Sequence, residues 1–140
     1  GVFWGTWFTL TRSLDTFPPD NFLRIGKTII SNVAVPMSIL MPLTIVALTW
    51  LCAITWKSRS SSYFLLIALA LMILTTIITV AVEVPIDNQI KSWTVETIPA
   101  HWVQLRLKWN HFHTLRTFTS ILSFVSLSIG VMWNNTSQNN

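Results

Sequence analysis

The segment with the most chemical potential is RLKWNHFHTLRTF, residues 106–118, which leads directly into a long apolar run. An imidazole can remove a proton, a guanidinium can bind a carboxylate or another anion, and an indole can stack on a ring system. At helical spacing, steps of four and three residues place six side chains on one stripe. This polar and aromatic stripe should face other protein rather than lipid, and it consists of Trp102, Arg106, Trp109, His113, Arg116 and Ser120.

The expected partner of this stripe is the segment VEVPIDNQIKSW, which begins at Val82. Glu83 is the first charge after an apolar run, and an ionisable group at that depth is costly unless it is paired. We therefore expect a cluster of polar and aromatic side chains at one end of the helices: Glu83, Asn88, Trp109, His113 and Arg116. This cluster has two interpretations, a structural ion pair or a small-molecule site at the membrane interface.

A metal site is the weakest interpretation of the histidines. His111 and His113 lie two residues apart, so on a helix they point about 200° from each other and cannot share one ion. We expect His111 to face away from the cluster, and Arg106 and Lys108 to lie in water. His101 lies too far along the helix to contribute. No metal ligand and no cofactor is predicted.

The composition indicates an integral membrane protein. Only 10% of the 140 residues are charged and 51% are apolar, whereas about 25% of a soluble domain is charged. The net charge of +4 comes from having five acidic residues against nine basic ones. No cluster of basic residues suits nucleic acid. Lipids are the expected surroundings, and a homo-oligomer or a membrane-complex partner stays open.

Three apolar segments are long enough to span a bilayer, which takes about 20 residues: 28–56, 60–82 and 117–133. The opening GVFWGTWFTL is shorter, and we interpret it as the second half of a first helix that is truncated at its start. The sequence thus predicts one all-α domain over 1–140, a membrane four-helix bundle with a long, continuous fourth helix. A short interfacial helix, capped by Asp87 or Asn88, should separate helices three and four. The expected helices are 1–12, 20–56, 60–84 and 99–133.

The charged turns indicate how the chain is oriented in the membrane. The turn at Lys57 and Arg59 carries no acidic residue, and we expect this turn to be cytoplasmic. The longer connections carry more basic residues, and their number alone favours the opposite orientation. The expected location is the inner membrane of a bacterial cell. Cys52 is the single cysteine and should be a packing residue.

The motif residues resemble the signature of the DUF1772 family, the anthrone-oxygenase-like small membrane proteins. In that pattern an Asn follows a Pro-containing helix end, and Trp, His and Arg follow later at Trp-x-x-x-His-x-x-Arg spacing. The matching positions here are Pro85, Asn88, Trp109, His113 and Arg116. The opening GVFWGTWFTLTRSL is also similar to the Gly-containing first helix of the family.

The resemblance implies a four-helix membrane bundle and, for some members, oxidation of an anthrone to an anthraquinone by O₂ without a cofactor. In such a reaction His113 would remove the acidic carbon proton. Arg116 and Asn88 would stabilise the enolate oxygen, and Trp109 would stack on the rings, with Glu83 completing the binding site. The other interpretation is a non-enzymatic subunit of a membrane complex, in which these residues are packed solid.

Overall fold

The computed structural model describes residues 2–10, 13, 16–56 and 59–138, with side chains described for 4–10, 13, 16–56 and 61–133. The regular elements of this part of the chain are all helical: α1 (Val2–Thr9), α2 (Pro19–Ile54), α3 (Arg59–Ile78), a π-helical turn (Thr79–Glu83), α4 (Val84–Ser92) and α5 (Trp102–Gln138). Three helical stretches are long and apolar enough to cross a bilayer: Pro19–Ile54, Ser61–Ser92 and Trp102–Trp133. The chain is therefore an all-helical integral membrane protein.

Helix α2 begins where the sequence places a proline pair. Pro18 is the N-cap and Pro19 is the first helical residue, a position that tolerates proline because its N–H would have no partner in the helix. Asp20 lies in the first turn, where its charge complements the helix dipole, but the N-cap has no side-chain hydrogen bond. The Asp20 side chain thus does not cap the helix. The helix runs on through Pro36 and Pro42.

The predicted separate interfacial helix is wrong. Helix α3 continues through the π-turn into α4 without a break, and the continuous helix ends only at Ser92. The interfacial helix was expected over 88–98, and residues 93–101 are irregular. Asp87 and Asn88 do not cap a helix start. Both lie inside α4, and the residue before α4, Glu83, is itself helical. Pro85 does not break this helix. It follows the π-turn, in which the Val84 N–H bonds to the Thr79 carbonyl, so the regular hydrogen-bond ladder is already changed at this point.

Helix α5 is the one continuous rod that the sequence predicted. It spans 37 residues from Trp102 to Gln138, a length of about 55 Å at about 1.5 Å per residue. A hydrocarbon core is only about 30 Å thick, so the polar first turns of α5 extend beyond it. The helix starts just after Pro99, whose carbonyl accepts a hydrogen bond from the Trp102 N–H at 3.0 Å.

Helices α3 and α5 are antiparallel and form the most extensive helix–helix contact. Hydroxyl groups bond across this seam at 2.6–2.8 Å: Ser61 to the Gly130 carbonyl, Ser123 to the Ala68 carbonyl, and Thr75 to Thr119. A Cβ atom at Gly130 would lie 3.0 Å from Leu65 Cγ. Small residues thus let the two backbones approach closely, which is how helices associate where lipid offers no hydrophobic driving force.

Helix α2 packs on the rest of the protein at two separate clusters. The cluster near its N-terminus comprises Phe22, Leu23, Ile30, Ile86, Ile90 and Trp93. The second cluster lies closer to its C-terminus and comprises Met41, Leu48, Ala68 and Met72. Between them, residues 31–40 of α2 contain no buried side chain. This gap between two packed regions is where a cavity forms.

Helix α1 lies against α5. The Trp7 indole donates a hydrogen bond from Nε1 to Thr114 Oγ1 at 3.0 Å, and its ring meets Phe118 edge-on at 5.5 Å between centroids. The described helix ends at Thr9, and Leu10 follows in a turn. Arg12, Lys57 and the side chain of Arg59 lie outside the described residues, so the predicted cytoplasmic turn stays a prediction.

Candidate functional site

The π-turn controls which way Glu83 points. Before the turn, the buried positions on the α3 face repeat every three or four residues, and after it the same rhythm resumes: Ser61, Leu65, Ala68, Met72, Thr75 and Ile78, then Glu83, Ile86, Ile90 and Trp93. The step from Ile78 to Glu83 is five residues, one more than the four of an α-helical turn. The π-turn absorbs this extra residue. Without it, the extra residue would rotate Glu83 by about 100° away from α5.

Glu83 forms an ion pair with Arg116. The carboxylate is 1% exposed, and its Oε2 lies 2.8 Å from Arg116 Nη1. The same nitrogen reaches Thr79 Oγ1 at 3.5 Å. The pair predicted from the sequence is therefore present, but Arg116 offers Glu83 one nitrogen rather than a bidentate fork. The other terminal nitrogen of the guanidinium serves a different partner.

That partner is His113, which is 1% exposed. Arg116 Nη2 lies 2.9 Å from His113 Nδ1. A guanidinium only donates hydrogen bonds, so Nδ1 must accept and the neutral ring carries its proton on Nε2. Glu83 Oε1 also approaches Nδ1, but at 3.8 Å it is too far for a hydrogen bond. Arg116 thus fixes both the orientation and the tautomer of His113.

The Nε2 atom of His113 faces helix α1. It lies 3.4 Å from Thr6 Oγ1, a long distance for a hydrogen bond. Because Nε2 carries the proton, the imidazole is a donor in this direction. An oxygen atom of a bound molecule can therefore take a shorter bond from Nε2 than Thr6 does.

Trp109 joins the histidine to a second carboxylate. Its ring stacks on His113 with 4.8 Å between centroids and 6° between planes. Its Nε1–H donates to Asp87 Oδ1 at 3.1 Å. The second oxygen, Asp87 Oδ2, has no hydrogen-bond partner among the described residues. One indole thus holds an imidazole against its face and a carboxylate at its edge.

These groups form one end of a cavity of about 470 Å³ between α2 and the α3–α5 pair. His113, Arg116, Trp109, Asp87 and Asn88 all contribute to its wall, whereas Glu83 lies behind Arg116 and does not. The rest of the wall is mainly apolar and comes largely from α2, including Ile29, Ile30, Val33, Ala34, Met37 and Met41. The cavity is thus an apolar chamber with charged and hydrogen-bonding groups at one end.

The cavity opens sideways between α2 and α3. Wall residues on both helices are exposed at their outer edges: Ala34, Ser38 and Pro42 on α2, and Val80 and Val84 on the facing helix. These positions lie within the membrane-spanning stretches. Lys91 and Asn88, also exposed, mark the polar end of the same opening. A lipid-soluble molecule can therefore reach the wall groups from the bilayer.

The structure gathers most of the residues that the sequence singled out. His113, Arg116, Trp109 and Asn88 meet at the cavity, and Glu83 supports them from behind. His111 is exposed and faces away, as predicted. The prediction for Arg106 is wrong, because this side chain is buried and its guanidinium lies 4.9 Å above the Trp102 ring. The cation–π contact with Trp102 stabilises the Arg106 guanidinium against the protein, so the side chain does not extend into water.

Sequence reasoning assigned Asp87 a capping role and did not place it at the cavity. The signal was present, because Glu83, Asp87 and Lys91 follow one another at steps of four, which places them on neighbouring positions of one helix face. It also missed Thr6 and the wall formed by α2, for which the sequence offers no polar marker. Among the described side chains, no three His, Cys, Asp or Glu ligands converge on a possible metal position.

The arrangement can be compared with known proteins. A family model described as anthrone oxygenase matches residues 28–126, which is more than half of the 140-residue chain. The chain belongs to the anthrone oxygenase family. No curated protein and no solved structure gave a significant match.

The matched range of the anthrone oxygenase family includes nearly all of the cavity. It covers α3, the π-turn, α4, the cavity-lining part of α2 and the first two-thirds of α5. Asp87, Asn88, Trp109, His113 and Arg116 therefore lie inside it, while Thr6 on α1 lies outside. The family resemblance seen in the motif is thus confirmed, and it coincides with the residues that the fold brings together.

Proposed function

We propose that this protein oxidises a lipophilic anthrone, or a closely related phenolic ring system, with O₂ inside the cavity. The proposal joins two independent supports. One is membership of the anthrone oxygenase family. The other is a chamber whose apolar wall suits fused aromatic rings and whose polar end suits an ionising oxygen.

The observation that carries the proposal is the room around the polar cluster. Small-molecule sites measure about 300–1,000 Å³, and this cavity of about 470 Å³ lies in that range. A purely structural ion pair would be packed on all sides. Here Arg116 and His113 contact the Glu83 side of the bundle and also line the chamber. The space next to them favours a binding site over a packed subunit interface.

The reaction is balanced without another reductant. The methylene carbon of an anthrone loses a proton to a base and becomes a carbanion conjugated with the carbonyl, so the charge rests largely on oxygen. The anion gives one electron to O₂, and the resulting radicals combine into a C–O bond, which is protonated to a hydroperoxide. Loss of the second methylene proton breaks the O–O bond and forms the new carbonyl. One ring system and one O₂ therefore give one quinone and one water.

The enolate oxygen is the group that the protein must stabilise, because charge develops there in the transition state. In our proposal His113 donates its Nε2–H to this oxygen, displacing the long contact to Thr6. The Asn88 amide, at the same end of the cavity, donates a second bond. Arg116 contributes through His113, since its bond to Nδ1 keeps the ring oriented and the proton on Nε2.

This assignment gives His113 a different role from the one suggested by the sequence, where it was the base. As a base it would have to accept a proton through Nδ1, which faces Arg116 at 2.9 Å, or change tautomer. As a donor it can act in the arrangement that it already has. The binding role of Trp109 stays as proposed, because its ring lies in the wall beside the histidine.

A test compares two neighbouring residues on α2. Ala34 lines the cavity, whereas Val35 is 66% exposed and does not. The protein is purified in detergent, and conversion of anthrone to anthraquinone is followed by absorbance together with O₂ consumption. We expect oxidation above the protein-free rate with one O₂ used per quinone. The cavity-filling Ala34→Phe should lower kcat/KM at least about tenfold, since a blocked cavity costs well over 1.4 kcal/mol, while Val35→Phe should retain it.

Two results would count against the proposal. One is wild-type protein that never exceeds the spontaneous oxidation seen in empty micelles. The other is equal activity of Ala34→Phe and Val35→Phe, which would place the chemistry elsewhere. Either outcome would favour the alternative function, a non-enzymatic subunit of a membrane complex. Location in the inner membrane of a bacterium stays a prediction.

A further inference from the structure

The reaction proposed above needs a base next to the methylene carbon, and the cavity wall offers a specific candidate. Asp87 is the single acidic side chain among the described residues that line the cavity. It is half-buried, and its two oxygens have different surroundings. Oδ1 accepts the Trp109 indole N–H at 3.1 Å, while Oδ2 has no bond to the described part of the protein. A carboxylate with one oxygen fixed and the other open is oriented for proton transfer.

The neighbouring titratable groups are less suitable. Glu83 lies outside the wall, and its charge is occupied by Arg116 at 2.8 Å. The acceptor nitrogen of His113 is occupied by the same arginine. Lys91 lines the opening but is a cation and has no lone pair to offer while charged.

We propose that Asp87 is the base that removes the methylene proton, and that His113 and Asn88 bind the oxygen on which the charge develops. The inference rests on the proposed function, because it assigns roles within that reaction. In an anthrone the methylene and the carbonyl lie at opposite ends of the central ring, so base and oxyanion donors must be separated. Trp109 provides that separation, since it stacks its ring on His113 and binds Asp87 through Nε1.

The proton balance closes on Asp87. The carboxylate takes the first methylene proton, and the C–H electron pair enters the ring system to give the enolate. After O₂ adds, the protonated Asp87 returns this proton to the peroxide anion. The carboxylate then takes the second proton from the same carbon as the O–O bond breaks, and it delivers that proton to the departing hydroxide. Asp87 ends as it began, and the products are a quinone and water.

Trp109 is a positioning residue for this base as well as part of the wall. Its N–H holds Oδ1, which fixes the orientation of a carboxylate that lines the cavity. Trp109→Phe keeps an aromatic ring and removes the hydrogen bond. We expect this variant to lower kcat for anthrone oxidation more than it changes KM, because the ring still packs on the substrate while the base is less well oriented.

The experiment isolates proton removal from oxidation. Anthrone is incubated anaerobically in D₂O micelles with each purified variant, and exchange of its methylene protons for deuterium is followed by NMR against protein-free micelles. Wild-type protein should accelerate exchange. Asp87→Asn, which preserves shape, should lose at least about a hundredfold of that acceleration, as expected for loss of a general base, and Asp87→Glu should recover part of it. His113→Gln should slow exchange less than Asp87→Asn, because it keeps an N–H donor.

Binding of anthraquinone, measured by quenching of tryptophan fluorescence, shows that each variant is folded and still has its cavity. Asp87→Asn that binds the quinone but catalyses neither exchange nor oxidation supports the proposal. Asp87→Asn that oxidises anthrone at more than a third of the wild-type rate overturns it and leaves the proposed function intact. Wild-type protein that accelerates neither exchange nor oxidation overturns both. If His113→Gln loses more activity than Asp87→Asn, His113 rather than Asp87 is the base.

Discussion

Removing Arg116 should destabilise the protein because it leaves a charge buried. Glu83 is 1% exposed and relies on Arg116 Nη1 at 2.8 Å for its closest charge contact. In Arg116→Ala that carboxylate is stranded, and breaking one side of a buried pair costs about 3–5 kcal/mol. The arginine also holds His113 Nδ1, so a buried acceptor loses its donor as well. At about 2–4 °C per kcal/mol for a chain near 150 residues, the melting temperature should fall by about 6–20 °C.

The double variant Glu83→Gln/Arg116→Met separates the charge from the contact. It removes both members of the pair, so no buried charge is left unpaired, and replacing a whole buried pair by groups of similar volume is often near neutral. We expect it to recover more than half of the loss seen in Arg116→Ala. Glu83→Gln alone should lie between the two, because it leaves the cation, which is closer to the cavity and to water.

Cys52 provides the assay. It is the single cysteine of the chain and is buried, so a thiol-reactive fluorophore reports its exposure as the protein unfolds in detergent on heating. Arg116→Ala melting within about 2 °C of the wild type would refute the reasoning, since it would mean that Glu83 is protonated or solvated without its partner. A double variant that melts below Arg116→Ala would also refute it, because the pair would then be stabilising in itself.

The other predictions concern the rotation of the helix after the π-turn, the packing at Gly130 and the hydrogen-bond geometry of Arg116. Deleting Ala81 should be tolerated, because a regular helix with one residue fewer still points Glu83 inward, whereas inserting an alanine there should rotate it by about 100° and cost about 3–5 kcal/mol; the Cys52 melting assay compares the two. Gly130→Val should lose about 1–3 kcal/mol by overpacking, since even its Cβ meets side-chain atoms at 3.0 Å, while Gly5→Ala should be neutral because nothing lies within 4 Å. Arg116→Lys should melt above Arg116→Ala but lose at least tenfold in anthrone oxidation, because one ammonium cannot serve both of its partners.

The sequence predicted the elements of the fold well wherever one helix face repeats without interruption. On α5 the steps of four and three run unbroken from Trp102 to Gly130, so the stripe of 102–120 could be extended by Ser123 and Leu127. An ionisable group at that depth in a membrane is costly unless it is paired, and this argument predicted the pair of Glu83 with Arg116. The pair is present. Both predictions depend on properties of single segments, hydropathy and helical period, which a sequence contains directly.

The errors have different physical origins. The extra residue in the π-turn changes the phase of every position after it, and no residue type in Thr79–Glu83 marks the change. Pro85 was expected at a helix end, but it directly follows the π-turn inside a continuous helix. Arg106 was placed in water because its charge was considered alone. The Trp102 ring lies one turn before it and makes a cation–π contact with its guanidinium. In each case the decisive partner or phase lies outside the local pattern.

The cavity itself could not have been predicted, because it results from a spacing between helices. Helix α2 is held by one apolar cluster on each side of residues 31–40, and no side chain in that stretch is buried against α3 and α5. Ala34 and Ser38 are small, and Pro36 gives up a backbone donor in the same stretch. In the proposed reaction α4 and α5 supply the reacting side chains, while α2 limits the size of the molecule that fits.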